Sequence, residues 1–310
     1  MKVLIVGYGS IGALHAKVTE SLGASVSVVS WRKIDFPAVY ADLGQALDEQ
    51  NPDYVVIANA TSEHHGALSA LAGLGYTGTV LVEKPIFSRL EILPENAFRN
   101  IVVAYNLRFH PITQRIKALL EGERVLSVQA YVGQYLPHWR PATDYRKSYS
   151  ASAGLGGGAL RDLSHELDYL TWMLGGWNRV AAIGGQYSPL EIDSDDVFAL
   201  LLATPRCPVV SVQLNYLDRL TRRFFLINTA RYTIEADLIR NILTVNEDIE
   251  VFSSGRDQTY INMHMAVQAG EKNMLCSLEE GLDVLRLIDA AEDAAAHKTW
   301  MVRRGDSDQP

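Results

Sequence analysis

Residues 2–16 constrain this chain more than any other stretch. Lys2-Val3-Leu4-Ile5-Val6 is a short apolar, β-branched run, and Gly7-Tyr8-Gly9-Ser10-Ile11-Gly12 follows it directly. Ala13-Leu14-His15-Ala16 then continues in helical spacing. A G-x-G-x-x-G set between a strand and a helix is the context in which this motif binds a dinucleotide. Gly7 permits the tight turn, Gly9 lets the backbone approach a pyrophosphate, and Gly12 lets the helix pack closely on the strand. The free N–H groups at the helix start then face the phosphates. A glycine-rich turn alone is a weak signal. Its place directly after a strand selects dinucleotide binding, with Gly7, Tyr8, Gly9, Ser10, Ile11 and Gly12 as cofactor contacts.

The next segments alternate between helix and strand signals. Helices are predicted over 15–22, 41–50 and 66–74, and strands over 24–30, 54–58, 79–82 and 101–106. Tyr54-Val55-Val56-Ile57-Ala58 is continuously apolar, as in a parallel strand buried on both faces. The alternation predicts a doubly wound parallel sheet, with a domain boundary near Asn106 (1–106 and 107–310). Ligands in such sheets sit at the carboxyl ends of the strands. Three strand ends therefore matter. The second carries Ser30-Trp31-Arg32-Lys33 where a carboxylate usually meets a free ribose hydroxyl. A hydroxyl and two cations suit a 2′-phosphate, and Trp31 or Arg32 can stack on adenine. NADP(H) is expected over NAD(H), against the plainer reading of an exposed basic turn. The 54–58 strand runs into Asn59, Ala60 and Thr61, with His64 close behind, all expected near the cofactor, although a histidine at a helix start is as often structural. The 79–82 strand ends in Glu83-Lys84-Pro85. A lysine there faces the crevice, where its charge is costly unless it meets a cofactor or a reacting oxygen.

The second half changes character. Strands are expected over 125–132, 180–184, 197–203, 209–215, 224–227, 232–236 and 242–245, joined by short turns without helices, which predicts antiparallel order. Between the first two lies a long loop rich in aromatic and cationic side chains. Trp139, Arg140, Tyr145, Arg146 and Tyr149 are its candidate substrate contacts: flat faces for a sugar ring, guanidinium groups for a phosphate or carboxylate. An oligomer contact is the competing explanation. A glycine-rich stretch, 154–158, then opens a helix expected from Ala159 to Leu174. At 100° per residue Asp162, His165, Glu166 and Tyr169 share one face, and Leu163, Leu167, Leu170 and Leu174 another. The leucines would pin the helix and leave the acid and histidine pointing into a cleft. Residues 277–297 form a last amphipathic helix, and the chain is expected to fray from Asp306.

Composition narrows the partners. With 28 Lys+Arg against 36 Asp+Glu the net charge is −8, and no basic block suggests nucleic acid or an anionic membrane. The two cysteines, Cys207 and Cys276, supply neither a metal spacing nor a disulfide framework and suit a reducing cytoplasm. No apolar run approaches the roughly 18 residues of a membrane span.

Several motifs, in order, resemble the Gfo/Idh/MocA oxidoreductases, the glucose–fructose oxidoreductase and inositol dehydrogenase family. The carrying residues are the glycine turn with His15, Glu83-Lys84-Pro85, Tyr105-Asn106-Leu107-Arg108-Phe109-His110-Pro111, and Gly156-Gly157-Gly158-Ala159-Leu160-Arg161-Asp162 with His165. The resemblance implies a Rossmann domain joined to an α+β domain with an open, mostly antiparallel sheet. It implies NAD(H)- or NADP(H)-dependent chemistry on sugars, cyclitols or related small molecules, and apart from it an exposed face of the second sheet favours a homodimer or homotetramer. The resemblance adds Glu83, Pro85 and Arg108 to the site, and implies Lys84, Asp162 and His165 as the catalytic set. His165 would serve as base, Lys84 as donor to the same oxygen, and Asp162 as their support. The chain departs from the family pattern twice. The stretch from Pro85 to Tyr105 is short, which predicts a trimmed helix. Asp162 and His165 stand three positions apart instead of four, so Glu166 occupies the fourth and is the reserve base. A non-catalytic dinucleotide sensor and a redox-assisted glycoside-cleaving enzyme are the alternative functions.

Overall fold

The computed structural model describes residues 1–139, 141, 143–255 and 257–303. Arg140 and the segment from Asp306, both subjects of the expectations above, lie outside the described residues. Two compact units are present: Met1–Phe109 with Gly255–Leu282, and His110–Ser254 with the residues from Asp283 on. The first unit thus extends to Phe109, beyond the expected boundary at Asn106, and takes in a segment from far along the chain.

The first unit opens with β1 (Lys2–Val6), α1 (Ser10–Ser21), β2 (Ser25–Val29), β3 (Val39–Tyr40), α2 (Leu43–Gln50), β4 (Tyr54–Ile57), α3 (His64–Gly73), β5 (Thr79–Val82) and β6 (Asn100–Val103). These six strands run parallel in the order β6-β5-β4-β1-β2-β3. Every residue of β4 and β5 is buried, as expected of strands covered on both faces. The helices begin and end on local chemistry. The Asp42 carboxylate accepts the Gln45 N–H at the start of α2, and Asn51 adopts the left-handed conformation at its end. Residues 83–99 form neither helix nor strand, in keeping with the short stretch read from the sequence.

The second unit contains α4 (Pro111–Leu119), β7 (Val125–Gly133), α5 (Ala159–Asp162), α6 (His165–Leu174), β8 (Arg179–Gly185), β9 (Val197–Ala203), β10 (Val210–Asn215), β11 (Arg222–Thr229), β12 (Thr233–Asp237), β13 (Ile242–Val245) and β14 (Asp248–Val251). Its sheet is antiparallel except where β7 and β10 pair in parallel. Alternation along β9 buries Phe198, Leu200 and Leu202 on one face.

The single helix expected over 159–174 is two. Ser164 donates its N–H to the Arg161 carbonyl and Glu166 to that of Leu163, three residues back, so the chain winds more tightly between α5 and α6. The 100° spacing does not carry across that turn. The leucine stripe is buried as expected, and so are Asp162, Glu166 and Tyr169, while His165 is half-buried.

After β14 the chain forms α7 (Gln258–Ala269) and β15 (Cys276–Ser277), which belong to the first unit. β15 adds an antiparallel edge to β6. The sequence reading missed α7, whose buried side includes the polar Thr259 and His264 and so shows no clear apolar stripe. α8 (Leu278–His297) and β16 (Met301–Val302), which pairs with β8, close the described chain. Among the described residues no helix is long and apolar enough to cross a membrane.

Candidate functional site

In the first unit the parallel order β5-β4-β1-β2 sets the carboxyl ends of four strands along one edge. Gly7 follows β1 with φ +93°, and a Cβ there would lie 2.6 Å from the Asn59 backbone. A Cβ on Gly12 would overlap the Gly7 carbonyl oxygen. In front of Gly9, by contrast, there is open space. Gly9 is also the N-cap of α1, and no side chain caps the helix. The first N–H groups of a twelve-residue helix therefore face a cradle that only a glycine leaves clear. That arrangement fits a pyrophosphate.

Beyond β2, the Ser30 hydroxyl accepts the Arg32 N–H at 3.2 Å, folding a tight turn. The Arg32 guanidinium lies over the Trp31 ring, 5.0 Å from its centre, and Trp31 is 81% exposed. Past β4, the Asn59 Oδ1 is buried with no hydrogen-bond partner. His64 is buried and donates from Nδ1 to the Ile86 carbonyl at 3.1 Å. Its Nε2 is then a bare acceptor, also buried and unpartnered, and burial lowers its pKa from the ordinary value. Two orphaned acceptors beside the strand end are what a site completed by a ligand's donors leaves behind.

After β5, Lys84 is half-buried and its bond to Pro85 is cis. The Lys84 N–H donates to Glu83 Oε2 at 3.2 Å. The other Glu83 oxygen, Oε1, lies 2.9 Å from His15 Nε2. His15 Nδ1 is 2.8 Å from His264 Nε2, and His264 Nδ1 is 3.1 Å from the Tyr54 hydroxyl. Glu83 is thus held by protein groups, where a cofactor contact was expected. His264 carries no motif and lies on α7, so nothing in the sequence joined it to Glu83. Arg108 needs a correction. It is 1% exposed and pairs with Glu280 at 3.1 Å and the Leu275 carbonyl at 3.3 Å, which leaves no surface for a substrate.

In the second unit Asp162 ends α5 and accepts the Tyr216 hydroxyl on Oδ2 at 2.6 Å. Asp195, absent from the sequence reading, caps α5: its carbonyl accepts the Ala159 N–H and its Oδ2 the Leu160 N–H. Burial pushes its carboxyl up to about 7, and the nearby Glu292 and Asp162 add to the shift. A Cβ on Gly158 would overlap Asp195 Oδ1, so the glycine run makes room for this cap. His165 is the first residue of α6 and half-buried. Glu166 is fully buried, bound by Arg223 Nε at 2.8 Å and by the Tyr169 hydroxyl at 2.6 Å. Both oxygens are committed to the core, which removes Glu166 as the reserve base. In the long loop, Trp139 meets Tyr216 edge-on at 5.2 Å, bringing one loop aromatic to the partner of Asp162. Tyr149 is at the surface, and the Tyr145 hydroxyl accepts the Glu191 N–H. Arg146 pairs with both Asp144 and Glu191, so its charge is already answered within the loop.

Residues 1–99 match the model of an oxidoreductase family with an NAD-binding Rossmann fold, and residues 113–234 match the GFO/IDH/MocA C-terminal domain. No curated protein is a significant match. Solved structures of similar fold include levoglucosan dehydrogenase in complex with NADH, at TM-score 0.82 and 18% identity, covering 97% of this chain and 98% of that one. The WlbA dehydrogenase from Bordetella pertussis, in complex with NADH and UDP-GlcNAcA, aligns at TM-score 0.79 and 19% identity over 98% of this chain and 99% of its own. An oxidoreductase from Agrobacterium radiobacter, in complex with NAD+, L-tartaric acid and magnesium, aligns at 0.79 and 16% over 97% and 98%.

Proposed function

The chain belongs to the GFO/IDH/MocA oxidoreductase family, and from that premise we propose that it transfers a hydride between a nicotinamide dinucleotide and a secondary alcohol, or its ketone. The substrate class is a sugar, sugar acid, nucleotide-sugar or cyclitol. The structures of similar fold, solved with levoglucosan, L-tartaric acid or UDP-GlcNAcA, support that range. The observation that carries the proposal is the clear cradle at Gly9, bounded by two glycines that admit no side chain.

Bound nicotinamide supplies or accepts the hydride. The chain's own groups position the carbon and manage the proton. His165 takes the hydroxyl proton in the oxidation direction, as the general base. Lys84 is the donor that stabilises the negative charge developing on a substrate oxygen. Asp162, steadied by Tyr216, supports the histidine. Asn59, His64 and the glycine turn hold the dinucleotide. Trp139, Tyr145 and Tyr149 offer apolar faces to the substrate, with Arg146 at their edge. The stacked Arg32, with Ser30 and Lys33, favours a 2′-phosphate and hence NADP(H). A homodimer or homotetramer through the outer face of the second sheet accounts for its exposed apolar side chains, Ile183 at 74% and Leu201 at 52%.

Titration of the purified protein with NADPH and NADH, followed by nicotinamide fluorescence, tests the first half of the proposal. Tight NADPH and weaker NADH binding is expected; binding of neither overturns it. A panel of sugars and sugar acids then tests the second half. In that assay Lys84→Met should retain cofactor binding and lose turnover by roughly a hundredfold or more. Unchanged turnover would remove the lysine from the chemistry.

A further inference from the structure

The first unit contains a row of buried polar groups that ends beside Lys84. Tyr54, His264, His15 and Glu83 follow one another at hydrogen-bond distances of 3.1, 2.8 and 2.9 Å, and Glu83 accepts the Lys84 N–H at 3.2 Å. The carboxylate sets one end of the row: it only accepts, so His15 donates to it from Nε2. With His15 accepting on Nδ1, His264 donates from Nε2 and takes the Tyr54 hydroxyl proton on Nδ1 as acceptor. In that arrangement each of the three bonds along the row, from Tyr54 to Glu83, carries one proton. Burial, and after it the proximity of His15, hold the pKa of His264 well below its ordinary value, which keeps that ring neutral.

Such a row can conduct a proton only if an end reaches water. Here Tyr54, His264 and His15 are all buried, and Glu83 nearly so. The row is therefore a brace. It takes its far support from α7, which is tied to the unit by Asn106 Nδ2 to Thr259 Oγ1 at 2.7 Å and by Lys17 to Asp257 at 2.6 Å. Both ties sit within seven residues of His264 and set the register that lets it reach His15.

We infer that His264 is a positioning residue for Lys84: through His15 it orients the Glu83 carboxylate, which fixes the Lys84 peptide from which the lysine side chain works. The inference rests on the catalytic reading of Lys84, and it assigns a purpose to a helix that returns to this unit after β14. Glu83 is an arm of this brace, not a cofactor ligand.

The test uses the full chain and two readouts, hydrogen exchange at the Lys84 amide and steady-state kinetics. In His264→Leu the Lys84 amide should exchange at least about tenfold faster while amides of β1 and β4 keep their protection. In the same variant kcat should fall by roughly tenfold with dinucleotide binding unchanged, the split expected when geometry in the transition state is lost. His264→Gln keeps a donor towards His15 and an acceptor towards Tyr54, and should recover most of both. Unchanged exchange at Lys84 overturns the inference, as does uniform acceleration across β1 and β4, which would make His264 a stability residue only. Should His264→Leu fail to fold, Tyr54→Phe removes a single hydroxyl from the row and is read in the same way. Faster exchange at Lys84 with unchanged kcat supports the brace and overturns instead the catalytic role of the lysine.

Discussion

At the scale of single residues, the structure separates charges committed to the fold from charges open to a ligand. Glu166 and Arg223 form a pair in which the carboxylate is fully buried and also accepts the Tyr169 hydroxyl. Removing one partner strands the other. Arg223→Met should cost about 3 kcal/mol in urea unfolding, and Glu166→Leu made together with it should recover much of that loss. Additive losses in the double variant would contradict a coupled pair. Arg32 is the opposite case, with its guanidinium stacked on an exposed ring beyond β2. Arg32→Ala should weaken NADPH binding by roughly tenfold, the size of one lost charge-assisted bond, and NADH binding far less. Equal weakening of both would discard the 2′-phosphate reading. The sequence put Glu166 and Arg32 on the same footing, because a charged letter does not say whether its side chain is covered.

At the scale of elements, short helices depend on what caps them. α5 is only four residues long, and Asp195, reaching from outside the helix, accepts two of its first N–H bonds. Burial raises the Asp195 carboxyl to about 7. Between about pH 4 and 7 the folded protein therefore holds a proton that the unfolded chain has released. Its contribution to stability falls as pH rises through that window and is constant above it. Asp195→Asn keeps an acceptor for Leu160 and removes the ionisation, so its melting temperature relative to the parent should rise from pH 5 to pH 8. A shift of the opposite sign would overturn the cap assignment. Element type was legible wherever a strand was buried on both faces or a helix showed one apolar stripe, as in β1, β4, β5 and the leucines of α6. The break between α5 and α6 was not, because it follows from three-residue hydrogen bonds that leave no mark on the apolar pattern.

At the scale of the whole molecule, the second sheet presents an outer face with Ile183 and Leu201 exposed on neighbouring strands. A single charge placed there, Ile183→Glu or Leu201→Glu, should convert an assembly on that face to monomer in sedimentation while leaving dinucleotide binding intact. A parent protein that is already monomeric would end the assembly proposal. The amino-acid sequence by itself determined the class of both sheets, the dinucleotide turn and the family, because strand periodicity, glycine spacing and short motifs are local properties of the chain. Only the tertiary structure decided which polar residues have partners. Arg108 lies inside a buried pair, Glu166 in the core, and Asp195 on the start of a helix, 35 positions from the Leu160 N–H it accepts. His264 comes back from beyond β14 to hold Glu83 through His15. Hydrogen-bond partners are chosen by distance in space, and burial makes that choice binding by removing water as the alternative.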